Sequence, residues 1–297
     1  MATIENSRMP LGERLRHNAL FRLAVMGSCL MVWLVGFRGL AIPALRGMGE
    51  PGTVIGDGAR LFGAAIYVAG ALLLYCVLVR KVERREPVEL AQRPGATLGS
   101  LGFGIGLALC CTVIGVMWLA GAARPVGFGD GSRLVAQFTA AMMAAVGEEL
   151  LFRGILFRIL EQAMGTARAL IASALFFGLA HIVNPDATLA SALVIAIESG
   201  VMLGLAFVAT RNLWFPIGIH LAWNFAQGGI FGATGSAGSP SLVKLAFAGP
   251  DWVTGGPTGT DMSAITVTFC LVLAVTFAIL ARNRNHWAPA RLKLRLG

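Results

Sequence analysis

The chain has 297 residues, 56% of them apolar and only 13% charged, with a mean hydropathy of +0.74. That composition excludes an ordinary soluble domain and predicts an all-α, polytopic membrane protein, a single membrane domain over residues 1–297. The net charge of +9 does not indicate a nucleic-acid partner, because the basic residues fall in short blocks between apolar runs, as positive-inside topology expects.

In chain order, Arg8, Arg14, Arg16 and Arg22 precede the first apolar run and resemble the start of a signal sequence. No small-x-small cleavage site follows, so an uncleaved first membrane helix is predicted. Hydropathy, with breaks set by charge, Gly and Pro, predicts about eight transmembrane helices. They lie near residues 21–40, 60–79, 98–120, 135–158, 167–183, 188–209, 213–230 and 262–281. The Lys- and Arg-rich connections, among them KVERREPVELAQR and the tail RNRNHWAPARLKLRLG, alternate with poorer ones. This alternation places both termini in the cytoplasm, and a bacterial inner membrane is the expected location. Residues 231–261, rich in Gly, Ser and Pro, read as a loop in preference to a re-entrant or surface lid, with LVKLAF and Trp252 resting at the interface. Cys29, Cys76, Cys110, Cys111 and Cys270 have no metal-type spacing and read as packing residues.

The polar residues inside these spans carry the chemistry. An ionisable side chain at the bilayer centre costs about 2.5–3.5 kcal/mol, against about 0.3–0.6 returned by each large apolar residue. Glu148, Glu149 and Arg153 in AVGEELLFRGIL must therefore face protein or water. Residues four apart share a helix face, so Glu149 and Arg153 are expected to pair, leaving Glu148 to point elsewhere. Phe177 and His181 share a face of the fifth helix, and His220 and Asn224 a face of the seventh. A base, polarising donors and hydrogen-bond donors for an oxyanion are the parts of a water-activating hydrolytic site. Taken singly, each membrane histidine also reads as a satisfied interhelical hydrogen-bonding residue. Glu198, outside these groups, reads as structural, with a place on the substrate cavity as the alternative. Gly200 and Gly204 have the spacing of a close helix contact.

The motifs Glu148-Glu149-x-x-x-Arg153, Phe177-x-x-x-His181 and His220-x-x-x-Asn224 resemble those of the CAAX prenyl protease and bacteriocin-processing (CPBP, or Abi) intramembrane endopeptidases. The resemblance covers about residues 135–231, the expected catalytic core. It implies hydrolysis of a peptide bond in a membrane-associated or prenylated protein or peptide. Glu148 and His181 would activate water while His220 and Asn224 hold the oxyanion, with Glu149 and Arg153 in the same catalytic set and Phe177 at the substrate cavity. No cofactor is favoured. The alternative is zinc on Glu148, His181 and His220, but the chain lacks HExxH and Asn is a poor zinc ligand. The partners expected are membrane lipid and a peptide or protein substrate. The rival readings are a proton-coupled transporter, which would show repeats or broken helices not seen here, and a scaffold without turnover. A cysteine protease using Cys110 or Cys111 lacks an assigned base.

Overall fold

The computed structural model describes residues 18–184, 187–234 and 241–290. The expectations for Arg8, Arg14, Arg16 and the end of the basic tail lie outside the described residues. Helices occupy all eight predicted positions. They are α1 (Ala19–Arg46), α2 (Val54–Leu78), α3 (Gln92–Leu119), α4 (Leu134–Glu149) leading into α5 (Arg158–Met164), α6 (Thr166–Ala180), α7 (Leu189–Ile195) leading into α8 (Met202–Thr210), α9 (Trp214–Phe225), and, after a short α10 (Asp251–Thr254), α11 (Ala264–Asn283). Among the described residues, six segments are long and apolar enough to cross a membrane: those begun by α1, α2, α3, α6, α7 and α11. The two that fall outside this set are α4–α5, which carries the charged motif, and α9, whose 12 residues continue into only five more of π-helix. Polar content and shortness thus set apart the helices that carry Glu148-Glu149-x-x-x-Arg153 and His220-x-x-x-Asn224, whereas Phe177 and His181 belong to a segment of spanning length.

Side chains cap several helix starts at the expected break points. Asn18 accepts from the Phe21 N–H at 3.1 Å, Thr53 from Gly56 at 3.1 Å and Ser263 from Ile265 at 3.1 Å, while Thr188 and Ser191 form a capping box. The bundle is built around α7–α8, where 67% of the apolar window is buried, against 17% for α1 and 28% for α11. Val32, Val35, Leu73, Val272, Val275 and Ile279 are exposed on the outer helices, as a surface in contact with hydrocarbon requires.

A close seam joins α3 to α9. A Cβ built on Gly102 would stand 2.2 Å from the Phe215 carbonyl oxygen, and one on Gly106 2.3 Å from that of Ile219. Small residues let the two backbones meet, and this contact sets the position of His220, one residue beyond Ile219. Gly106→Val is expected to destabilise the protein by about 1–3 kcal/mol and to lower proteolytic turnover in the fraction that folds. Thermal unfolding in detergent, alongside activity per folded molecule, checks both. The Gly200 and Gly204 pair also sits against a neighbour, with Ala174 and Leu170 of α6 occupying the space a Cβ would need.

At one end of the bundle, Glu83 pairs with Arg158 at 2.6 Å and with Arg22 at 3.1 Å, and Glu89 pairs with Arg85 at 2.6 Å and accepts from the Tyr75 hydroxyl. Burial raises the Glu89 carboxyl, but the Arg85 and Tyr75 donors outweigh it and hold the group below its ordinary pKa. These bonds tie the connection after α2 to α5.

One element departs from an all-helical reading. Val243–Phe247 forms a strand, β2, antiparallel to β1 (Ala123–Phe128), with Ala123 opposite Phe247 and Phe128 opposite Val243. The segment read as a loop with LVKLAF at the interface is therefore fastened to the α3–α4 connection by a two-stranded ribbon.

Candidate active site

The motif residues meet where α4, α6 and α9 converge. Glu148 and Glu149 end α4, and the chain then runs through a π-helical stretch, Leu150–Phe157, that contains Arg153. Such π segments recur at functional sites because they re-aim side chains within an otherwise continuous helix. The two adjacent carboxylates separate as helical geometry requires. Glu149 is fully buried and binds Arg153 at 2.8 Å, while Glu148 points toward the two histidines. The Arg153 guanidinium also donates to the carbonyls of Ser199 at 2.9 Å and Gly200 at 3.1 Å, and lies 4.5 Å from the centre of the Phe177 ring. It therefore joins three helices through one buried cation.

Both imidazoles are oriented from behind. His181 Nδ1 lies 2.8 Å from the Phe177 carbonyl oxygen, and His220 Nδ1 lies 3.0 Å from Glu149 Oε1. A carbonyl can only accept, and the Glu149 carboxylate paired with Arg153 also accepts, so each Nδ1 carries the proton and donates. Each Nε2 is thereby turned toward Glu148. The separations from Glu148 Oε2 are 3.9 Å to His181 and 3.8 Å to His220, and Oε2 itself is buried without a hydrogen-bond partner. Asn224 follows His220 by one turn and is half-buried. His181 sits just past the end of α6, whereas Glu148 lies where α4 runs on into the π-helical stretch, and the helices are placed so that the two groups come together.

Tetrahedral zinc with bonds of about 2.0–2.1 Å would hold its ligand atoms roughly 3.3 Å apart. Glu148 stands wider than that from both histidines, and among the described residues no group of three His, Cys, Asp or Glu is arranged to hold a metal ion.

Phe177 and Glu198 are both 2% exposed. Phe177 packs beneath the site, with ring centres 5.0 Å from Phe152 and 4.8 Å from His181. Glu198 accepts from the Ser199 hydroxyl at 3.0 Å and lies 3.7 Å from Cys270 Sγ. Neither lines the ≈ 310 Å³ cavity into which His181 opens. A larger cavity, ≈ 440 Å³, lies against the first half of α4 among Arg46, Arg60 and Arg133, and no motif residue reaches it.

Residues 130–226 match the family model of type II CAAX prenyl endopeptidases, Rce1-like. The match spans about a third of the chain and contains all three motifs. Over that segment the chain is similar to CAAX-type intramembrane endopeptidases, and the long apolar helices among the described residues suit an integral membrane protein. No curated protein and no solved structure matches the chain.

The Rce1-like segment ends before a residue that sequence reasoning missed. Asp261, just ahead of α11, accepts from Trp223 Nε1 at 2.9 Å and from Gln227 Nε2 at 2.8 Å through the same oxygen, Oδ1. Burial pushes its carboxyl above the ordinary value, against the pull of those two donors. Trp223 and Gln227 stand three and seven residues after His220, so the spacing on α9 already marked a polar stripe. Nothing local in the Gly- and Pro-rich connection shows that Asp261 closes onto it.

Proposed function

We propose that the protein is a glutamic intramembrane endopeptidase that hydrolyses a peptide bond in a prenylated or otherwise membrane-associated substrate. The observation that carries this reading is the unpartnered Glu148 Oε2 facing two imidazole nitrogens at 3.8 and 3.9 Å. Those separations suit a water that donates one proton to Glu148 and the other to His181 Nε2. Glu148 takes a proton from the water as its oxygen attacks the scissile carbonyl carbon, and the carbonyl electron pair moves onto oxygen. The resulting oxyanion is held by His220 and Asn224. The oxyanion then reforms the carbonyl as the C–N bond breaks, Glu148 delivers its proton to the departing amine, and the second proton of the water passes to His181 Nε2, giving a carboxylate, an amine and a protonated His181 that releases its proton to solvent.

Charge balance supports His220 as a donor in this scheme. Glu148, Glu149 and Arg153 leave one uncompensated negative charge in a water-poor interior, and a proton shared with His220, which lies against both carboxylates, neutralises the set. His220 Nε2 then carries the N–H an oxyanion needs. In the same reading all eight helical segments lie within the membrane and both termini are cytoplasmic. The decisive experiment is cleavage of a prenylated peptide by purified, reconstituted protein. Turnover should persist with less than 0.1 equivalent of bound metal and in the presence of chelator, and His181→Ala should abolish it. Loss of activity on metal removal, restored by zinc, would replace the glutamic mechanism with the zinc one.

A further inference from the structure

The cavity beside His181 has a wall that the hydrolytic mechanism does not use. Besides His181 it is lined by the chain leading into α11, with Thr258 and Asp261, and by Gln227 from the π-helical turn that follows α9. At ≈ 310 Å³ it falls at the lower end of the range for ligand pockets, roughly 300–1,000 Å³, and is large enough for one long side chain and its solvent. Its lining is predominantly polar, and among the described residues no Lys or Arg lines it. Asp261 is the one carboxylate there. Its Oδ1 is fixed by Trp223 and Gln227, and Oδ2 accepts no hydrogen bond among the described residues. A buried carboxylate with one oxygen anchored and one open gains from a cation, which offsets its desolvation.

We propose that this cavity is a specificity subsite, and that Asp261 makes it select a lysine or arginine side chain next to the scissile bond. The proposal rests on the proteolytic reading above. Because His181 borders both the cavity and the water-activating group, a side chain seated there fixes which peptide bond reaches Glu148. An acidic side chain in the same place would meet the Asp261 carboxylate, and among the described residues no Lys or Arg lines the cavity to relieve it.

The test uses reconstituted full-length protein and a peptide series in which each position around the cleaved bond is Lys, Met or Glu. Met matches the length of most of the lysine stem without its charge. Wild type should prefer Lys over Met at one position by at least about tenfold in kcat/KM and should reject Glu there. Asp261→Asn keeps an oxygen for Trp223 and Gln227, so the Lys-to-Met ratio should fall below about threefold. Thr258→Lys, which brings a positive charge to the same wall, should lower the ratio without touching the Asp261 anchor and serves if Asp261→Asn does not fold. A wild-type enzyme whose Glu148-dependent cleavage is blind to charge at every position would overturn the subsite alone, as would a preference retained in Asp261→Asn or, where that variant does not fold, in Thr258→Lys. Absence of any Glu148-dependent cleavage would overturn the proteolytic reading and the subsite with it.

Discussion

Glu148→Gln should reduce kcat by about 10²–10⁴-fold while leaving the protein as stable as wild type or more so. The amide has the shape of the carboxylate but cannot take a proton from water. Stability should hold because Glu148 Oε2 accepts no hydrogen bond among the described residues and the side chain is only partly buried, so the amide breaks no hydrogen bond at that oxygen. A group whose loss costs activity without costing stability is placed for chemistry rather than for packing. Thermal unfolding in detergent and turnover of a prenylated peptide, measured on one preparation, check the two halves together. A variant that unfolds 3 kcal/mol more easily would mark Glu148 as structural.

The neighbouring pair should behave in the opposite way. Glu149→Ala strands the Arg153 guanidinium, which is buried and joined to Ser199, Gly200 and the Phe177 ring, and it also frees His220 from its anchor. Removing one partner of a buried ion pair costs about 3–5 kcal/mol, enough to deplete most of a marginally stable fold. Arg153→Ala should do the same by leaving Glu149 unpaired. Replacing both, as in Glu149→Gln with Arg153→Met, removes the stranded charge and should recover most of the stability. Activity should stay low in the double variant, because His220 loses the carboxylate that orients it and balances its proton. Stability regained without turnover would separate the pair's two roles. Turnover regained in full would show that the pair serves packing alone.

Adjacent carboxylates one residue apart had to diverge by about 100°, and the i, i+4 spacing had to pair Glu149 with Arg153. Both follow from helix geometry, which is why this part of the site was legible before any coordinates. Helix positions were legible for a similar reason, since apolar runs of spanning length are bounded by capping residues such as Asn18, Thr53, Thr188 and Ser263. The contacts that were not legible join residues far apart in the chain. The β1–β2 ribbon pairs Ala123 with Phe247, and the Asp261 bonds to Trp223 and Gln227 span more than thirty residues of Gly- and Pro-rich sequence with no periodicity to read. The seam of Gly102 and Gly106 against α9 was hidden by composition, because a chain with 38 glycines gives no reason to single out two. The π-helical stretch that carries Arg153 has no signature distinct from the α-helix around it.

Glu148 and His181, brought together from separate helices, act in this account on one shared water, and groups that work as a unit are strongly non-additive. The most direct measurement is kcat/KM for Glu148→Gln, His181→Ala and the variant carrying both, each corrected for folded protein. The account predicts that the combined variant falls no more than about threefold below the weaker of the two single variants. Losses that multiply, so that the combined variant falls by the product of the single effects, would mean that the two side chains act independently and would contradict it.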